Sequence, residues 1–262
     1  MKTKLLTPAD LTEYKHPAII LFRSLELKCT YENTKNLNFK QPSMDLGSGD
    51  GYLASILFDE KFTYGIDNGE ANDYQTAIDK KRYGKVLVES AEKMSLKNDS
   101  LNFIFCNSVI EHIPGNEAVL SEVSRTLKKG GAFVFTSPSD KFKEFLYVSN
   151  LLQRFSLEFM ASRYKNYRQT MLNHYHTLSH EEWTKRLKKH NLKIINYDYY
   201  ISKETCMLWD QIALQVRIQK LFDPQAEKEL YKEYKKQINE IYVNDRVEGS
   251  NGASLFIHAV KI

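Results

Sequence analysis

The sequence has few cysteines, no long apolar run and little excess of charge of one sign. Its three cysteines, Cys29, Cys106 and Cys206, lack the paired spacings of zinc sites and disulfide frameworks, which favours a reducing compartment. No run approaches the roughly 20 apolar residues that a membrane-spanning helix needs. Residues 1–16 lack the apolar core of a signal peptide. We therefore expect a cytoplasmic protein.

The charged residues are mixed along the chain. Lysine and arginine total 37 and aspartate and glutamate total 33, giving a net charge of +4. The basic runs at 80–82 and 185–189 are typical of solvated helix faces, so we expect no nucleic-acid partner. With 262 residues, 42% of them hydrophobic, the chain can form one α/β domain with insertions.

Residues 44–57 read MDLGSGDGYLASIL, with glycines at the alternate positions 47, 49 and 51. A strand-like segment precedes them and a helix-compatible segment follows. Glycine lets the backbone turn sharply and approach another group closely. Such a cluster either forms a tight turn without a ligand or brings backbone N–H groups to a ligand at a helix N-terminus.

The flanking pattern alternates between strands and helices, which predicts an α/β fold with a doubly wound, mostly parallel sheet. The predicted strands are 42–46, 62–67, 85–89, 101–107, 132–136, 192–200 and 253–262. The predicted helices are 11–27, 71–81, one from 116 that Gly130-Gly131 ends, 141–162, 179–191 and one opened by Asp223-Pro224.

Asp67 ends the second strand, eighteen residues after Gly49, where a carboxylate can accept hydrogen bonds from ribose hydroxyls. Dinucleotide sites favour G-x-G-x-x-G, but here Tyr52 takes the place of the last glycine. Asp45 and Asp50 would repel a pyrophosphate and attract the ammonium group of an amino acid. The charges therefore favour S-adenosylmethionine over NAD.

Five ordered segments, DLGSGDG, YGID, VESAEKMSL, FIFCNSVIEHI and LKKGGAFVFTSPS, resemble motifs of the class I S-adenosylmethionine-dependent methyltransferases. The resemblance covers about residues 40–140, with a weaker echo through LSHEEWTKRLKKHNLKIINY. It implies a seven-stranded, Rossmann-like sheet with helical cap insertions. HPAIILFRSLE and NHYHTLSHEEW more loosely resemble methyltransferases of glycan and cell-surface polysaccharide gene clusters.

The resemblance also implies roles for individual residues. The methionine end of the cofactor would contact the loop and its flanking acids, and Asp67 the ribose. The adenine edge would lie at Ser90 and Ala91; because the family usually has an acid at position 90, Glu89 or Glu92 would substitute. The full set predicted to bind cofactor is Asp45, Gly47, Ser48, Gly49, Asp50, Gly51, Asp67, Ser90, Ala91, Glu92, Asn107, Ser108 and Arg23.

Asn107 and Ser108 would border the transferred methyl group, and Arg23 would pair with the cofactor carboxylate. A hydroxyl acceptor benefits from a base, and the candidates are His112, His174 and His176. The alternate spacing of His174 and His176 could reach a metal ion, but no third ligand is apparent, so no metal site is predicted.

The predicted domain organisation is a single methyltransferase domain. It divides into an N-terminal helical lid (1–39), a cofactor-binding core (40–140), a helical cap insertion (141–178) and a C-terminal segment that completes the sheet (179–262). Aromatic and basic residues alternate in 141–172, which is typical either of a plain helical cap or of a cap over a glycosylated or lipid-linked acceptor.

We expect O-methylation of a small molecule or saccharide acceptor, with peripheral membrane contact if that acceptor is membrane-linked. The alternative acceptor is a quinone or other lipid-like metabolite. Two other classes are an RNA methyltransferase, which the mild charge disfavours, and a noncatalytic cofactor-binding protein.

The acid-flanked loop predicts the choice of cofactor directly. Titration calorimetry should detect binding of S-adenosylmethionine and S-adenosylhomocysteine and no binding of NAD. Heat of binding with NAD and none with S-adenosylhomocysteine would contradict this interpretation of the loop.

Overall fold

The computed structural model describes residues 1–262, and a seven-stranded sheet runs through its centre. The strands are β1 (Ser43–Leu46), β2 (Tyr64–Asp67), β3 (Lys85–Val88), β4 (Leu101–Asn107), β5 (Leu127–Pro138), β6 (Leu192–Tyr200) and β7 (Ser254–Lys261). Their order is β3-β2-β1-β4-β5-β7-β6. The five strands from β3 to β5 pair in parallel, and β7 is antiparallel to both β5 and β6. The mostly parallel, Rossmann-like sheet predicted from the sequence is confirmed.

Helices cover both faces of this sheet. They are α1 (Pro17–Thr34), α2 (Tyr52–Leu57), α3 (Tyr74–Asp79), α4 (Asn116–Thr126), α5 (Tyr147–Arg154), α6 (Glu158–Met171), α7 (His180–Lys189), α8 (Lys203–Gln219) and α9 (Ala226–Asn244). Short 3₁₀ helices occupy Pro8–Tyr14, Ile110–His112 and Phe142–Phe145. None of these helices has the length and apolar character needed to cross a membrane.

Three predicted helices differ from the structure. The segment 11–27 is divided at Lys15 and His16, because Pro17 opens α1 and disfavours helical backbone in the residue before it. The segment 141–162 is divided into a 3₁₀ turn, α5 and α6, with Ser156 in the left-handed region at φ 57°. Gly130-Gly131 does not end α4, which stops at Thr126; the glycines lie within β5.

Two apolar clusters pack against opposite faces of the sheet. One contains stacked aromatic rings from β4 and the segment before β2, together with buried residues of α1, α8 and α9. The other contains residues of α4 and α7, including Trp183 against Phe135. Polar side chains collect beside these clusters at the carboxyl ends of the parallel strands. The predicted division of the chain at residues 39, 140 and 178 stays a prediction.

The most connected of these polar side chains is Glu26, a fully buried carboxylate on α1. Its oxygens accept hydrogen bonds from Asn107 Nδ2 (2.9 Å), Thr136 Oγ1 (2.9 Å), Tyr200 Oη (3.3 Å) and Ser108 Oγ, and it is ion-paired with Arg23. Burial alone would raise the pKa of Glu26. The charge of Arg23 and the hydrogen bonds from its neighbours outweigh burial and hold that pKa below its ordinary value.

Glu26 therefore joins α1 to the ends of β4, β5 and β6. Replacing Glu26 by alanine should lower the free energy of unfolding by about 3–5 kcal/mol, the usual cost of breaking a buried ion pair. Urea denaturation followed by circular dichroism measures this. Glu32→Ala, on the exposed face of the same helix, should change stability by less than about 1 kcal/mol. Equal effects of the two substitutions would contradict this role for Glu26.

Candidate active site

The loop between β1 and α2 depends on glycine for backbone conformation at all three positions. Gly47, Gly49 and Gly51 have φ values of 75°, 49° and 74°, which L-residues with side chains rarely adopt. At Gly47 a Cβ atom would also lie 2.4 Å from the side chain of Val109, and at Gly51 2.6 Å from Tyr83. Nothing lies within 4 Å of a Cβ at Gly49, so space beside that residue is open.

Asp67 fixes this loop to the end of β2. One of its carboxylate oxygens accepts a hydrogen bond from the N–H of Gly49 (3.0 Å), and the other accepts one from the N–H of Gly69 (2.9 Å). Both bonds hold the carboxylate at the carboxyl edge of the sheet, where ligands of open α/β sheets bind.

Asp45, one strand away, is almost completely buried and accepts a hydrogen bond of 2.5 Å from Tyr83 Oη. Burial raises the pKa of Asp45 to about 7; the hydrogen bond from Tyr83 opposes this effect, and the charge of Asp67 adds to it. Asp45 therefore lies beneath the glycine loop and supports it, and the charge of its carboxyl group changes near neutral pH.

A cavity of about 740 Å³ opens at the ends of β1, β2 and β3. Four carboxylates line it, and neither a lysine nor an arginine does. The residues lining it are Leu46, Gly47, Ile66, Asp67, Asn68, Glu70, Glu89, Ser90, Ala91, Glu92, Val109, His112, Ile113, Pro114, Leu172, Asn173 and Tyr175. This volume falls within the usual range for small-molecule and cofactor sites.

Seven residues named from the sequence line this cavity: Gly47, Asp67, Glu89, Ser90, Ala91, Glu92 and His112. The others do not. Asp50 is ion-paired with Arg82 at 3.0 Å, and its carboxylate also accepts a hydrogen bond from the N–H of Tyr52 at 2.9 Å. Ser48, Gly49 and Gly51 form the loop beside the cavity without lining it. Their contacts with a cofactor stay predictions.

Asn107, Ser108 and Arg23 lie together at the end of β4, but all three point to Glu26. Their predicted contacts with the methyl group and the cofactor carboxylate stay predictions, and in this structure their polar groups are occupied by Glu26. No local pattern indicated this partner, because Glu26 precedes Asn107 by 81 positions.

The three predicted catalytic histidines occupy different positions. His112 lines the cavity, and its ring centroid lies 5.3 Å from that of His174, which stands behind it against Phe142. Burial lowers the pKa of His112, and burial together with the nearby His112 lowers that of His174 to about 3. His176 Nε2 lies 3.0 Å from the carbonyl oxygen of Pro114, to which it donates when protonated there.

The loop after α6 was predicted only in part, since His174 and His176 were candidates but their cavity-lining neighbours were not. Leu172, Asn173 and Tyr175 line the cavity from across the sheet edge. The N–H of Tyr175 donates to the carbonyl oxygen of Glu111 at 2.9 Å, which attaches the loop to the segment after β4. No local pattern in the sequence indicates this contact, since the two residues are joined only by the fold.

A second cavity of about 530 Å³ lies between α1, α6 and α8. Apolar side chains dominate it, and Arg168 and Arg217 are its charged members. We call it the apolar groove; it is lined by His16, Ala18, Ile19, Tyr164, Tyr167, Arg168, Met171, Leu172, Trp209, Ala213, Leu214, Arg217, Ile218 and Leu221. Leu172 lines both cavities, so the groove adjoins the cofactor-sized cavity.

Comparison with known proteins finds similarity to methyltransferases over part of the chain. Residues 44–135 match the family described as "Methyltransferase domain". The ubiquinone biosynthesis O-methyltransferase of Vibrio atlanticus (strain LGP32) is 25% identical over 134 residues, which cover 47% of this chain and 54% of that protein. The chain therefore spans about half the length of the curated relative it matches.

Solved structures share the fold. An S-adenosylmethionine-dependent methyltransferase from Thermotoga maritima superposes with a TM-score of 0.57 over 97% of each chain, at 17% identity. Phosphoethanolamine N-methyltransferase 2 of Haemonchus contortus, solved with S-adenosylmethionine, gives a TM-score of 0.54 at 19% identity. That match covers 90% of this chain and 52% of the other. At these identities the likeness shows the fold alone.

The burial of Asp45 predicts how stability depends on pH. Between about pH 4 and pH 7 the folded protein keeps a proton on Asp45 that the unfolded chain loses, so stability falls as the pH rises through this range. Relative to Asp45→Asn, the wild type should lose about 2–3 kcal/mol of unfolding free energy from pH 5 to pH 8.

Urea denaturation of both proteins at each pH measures the difference. Asp73→Asn, at an exposed position, serves as the control and should follow the wild-type profile. Parallel profiles for the wild type and Asp45→Asn would show that Asp45 keeps an ordinary pKa.

Proposed function

We propose that the chain is a class I S-adenosylmethionine-dependent methyltransferase and that it transfers a methyl group from S-adenosylmethionine to an oxygen atom of a small-molecule acceptor. The observation that carries the proposal is the cavity beside the glycine loop. Its four carboxylates, Asp67, Glu70, Glu89 and Glu92, suit ribose hydroxyls, an amine and a sulfonium. The same carboxylates would repel the phosphates of a dinucleotide.

The cofactor would lie along the ends of the first three strands. Asp67 would accept hydrogen bonds from the ribose hydroxyls, and the loop at Ser90 to Glu92 would contact the adenine. The methyl group would then point toward the end of β4, where His112 borders the cavity. Asn107 and Ser108 would contribute to that end through the backbone, since their side chains bind Glu26.

Methyl transfer from a sulfonium is an in-line displacement. The acceptor oxygen forms a bond to the methyl carbon while the carbon–sulfur bond breaks. The electron pair of the broken bond stays on sulfur as S-adenosylhomocysteine forms. Alignment of the two reactants supplies much of the acceleration. The hydroxyl proton must also leave the acceptor. His112 and His174 are the imidazoles on the side of the cavity toward which this proton would leave. His176 acts as a positioning residue through the carbonyl of Pro114.

The apolar groove supports an acceptor with an apolar part. Leu172 separates the groove from the cofactor cavity, so an acceptor could place its apolar part in the groove and its hydroxyl beside the methyl group. A glycolipid and a quinone both have this form, and the curated relative is named for ubiquinone biosynthesis. The groove favours these acceptors over a free sugar, because a sugar buries little apolar surface.

The mouth of the groove favours an acceptor delivered from a membrane surface. Leu221 and Phe222, just after α8, are 77% and 84% exposed, and Lys220, which is ion-paired with Glu227, precedes them. Exposed apolar side chains beside basic ones bind the interfacial region of anionic bilayers. This is peripheral contact and involves no spanning segment.

The acceptor proposal can be tested at Ile218, which lines the groove and is 50% exposed. Ile218→Glu should raise KM for a quinone-like or glycolipid acceptor by about three- to tenfold, because an acceptor would cover only the exposed half of a side chain whose full burial contributes about 1.5–3 kcal/mol. Radiolabelled methyl transfer gives KM, and calorimetry should show unchanged affinity for S-adenosylhomocysteine.

Val243→Glu is the matched control, since Val243 is a branched aliphatic residue of 58% exposure on α9 outside the groove. It should leave KM unchanged. If Ile218→Glu also left KM unchanged for every lipid-like acceptor while free saccharides were methylated, the groove would not hold the acceptor. Transfer to RNA, or binding of cofactor without any transfer, would support the other classes of function.

A further inference from the structure

Three side chains with metal-ligating atoms meet behind the cofactor cavity. Glu111 and His112 come from the 3₁₀ turn after β4, and His174 comes from the loop after α6. One carboxylate oxygen and one nitrogen of each imidazole all lie within 4.8 Å of one another. We call Glu111, His112 and His174 the three-residue cluster.

The backbone holds its two segments together. The N–H of Tyr175 donates to the carbonyl oxygen of Glu111 at 2.9 Å, and His176 Nε2 lies 3.0 Å from the carbonyl oxygen of Pro114. His174 is thus bracketed by contacts with the segment that carries the other two side chains. The cluster is fixed by hydrogen bonds outside it and needs no ion to form.

His112 is oriented in the way that a metal-binding histidine usually is. Its Nδ1 lies 3.1 Å from the carbonyl oxygen of Asn173 and donates to it, which leaves the lone pair of Nε2 free in the neutral ring. That lone pair faces Glu111 Oε1 at 3.7 Å. A lone pair and a carboxylate oxygen repel each other unless a proton or a cation lies between them.

Two further atoms of the cluster are buried without partners. Glu111 is 1% exposed, and its Oε2 makes no hydrogen bond. His174 Nδ1 is likewise buried and makes none. Buried polar atoms are rarely left unpaired, because each costs about 1–3 kcal/mol. A single cation among the three side chains would satisfy both atoms and remove the repulsion at His112.

The nearest positive charges do not prevent a cation from binding. Arg168, which lies toward His174, is ion-paired with the buried Asp210 at 2.9 Å. Arg23, which lies toward Glu111 and His112, is ion-paired with Glu26. Each guanidinium is therefore already balanced by its own carboxylate.

We propose that Glu111, His112 and His174 bind one divalent transition-metal ion, and that Zn²⁺ suits their two imidazoles and one carboxylate. Three protein ligands leave a fourth position open, as in catalytic zinc sites. Zinc–ligand distances of about 2.0–2.2 Å require His174 to move toward the other two ligands by roughly an ångström. Rotation of its side chain on the loop provides that movement.

The open position lies beside the cofactor cavity, which His112 lines. This part of the inference rests on the proposed methyl transfer. An acceptor hydroxyl bound to the ion would lose its proton to water more readily, because a cation stabilises the alkoxide or phenolate. The oxygen would then carry the negative charge that attacks the methyl carbon. His112 and His174 would act as ligands in this reaction, and the ion would lower the pKa of the hydroxyl so that water takes its proton.

Metal binding is tested on the full chain after dialysis against a chelator. Titration with Co²⁺, followed by its visible absorption, should show one equivalent bound, and Zn²⁺ should displace it. Glu111→Gln, His112→Gln and His174→Gln should each weaken Co²⁺ binding by at least about tenfold. His190→Gln, which changes a surface histidine bound to Glu117, should leave binding unchanged. Unfolding midpoints of all four variants identify any that are misfolded.

X-ray absorption at the zinc edge on the wild-type protein gives an answer without any variant. The expected spectrum has two imidazole ligands at about 2.0 Å and no sulfur. Absence of stoichiometric binding would overturn the site. So would a Co²⁺ affinity in the three folded ligand variants equal to that of the wild type. Calorimetry with S-adenosylhomocysteine on the wild-type protein separates the two proposals: if the wild type binds this cofactor product but no metal, the metal site alone is rejected.

Discussion

Glu26 is a buried carboxylate whose five partners come from α1 and three strands, and the carboxyl edge of the sheet depends on it. A carboxylate removed from water is stable only when its oxygens are hydrogen-bonded and its charge is balanced. Asn107 and Ser108 at the end of β4 are arranged to meet that requirement. The N-terminal helix is thereby part of the wall behind the site, held there by the buried polar contacts of Glu26.

Much of the fold could be predicted because its signals are local. Alternating apolar strands and periodic helices indicated the sheet, and β4 and β6 were predicted with the bounds they have in the structure. The departures occur where one residue overrides a long pattern. Pro17 interrupts the first helix, and the turn at Ser156 separates α5 from α6. Helix α8 was missed because its mixed apolar and polar residues give weak periodicity, although Ser202 caps its start.

The site was predicted in part. A physical reason separates the residues that were predicted from those that were missed. Gly47, Asp67 and the loop at Ser90 follow strands directly, so topology alone brings them to one edge. The loop from Leu172 to Tyr175 reaches that edge by packing between distant segments, and sequence spacing contains no record of such contacts. Glu111 was missed for a related reason: a glutamate in a short turn is usually exposed, whereas here it is 1% exposed.

The loop after α6 connects the features on which function depends. Leu172 separates the cofactor cavity from the apolar groove, Asn173 orients His112, and His174 completes the three-residue cluster. An acceptor bound in the groove would press on the same short segment that holds the imidazoles. Because that segment is attached to the turn after β4 by the backbone hydrogen bond from Tyr175 to Glu111, its displacement would alter both the His112 orientation and the cavity wall. Acceptor binding in the groove would therefore be coupled to the geometry at the methyl group through four consecutive residues.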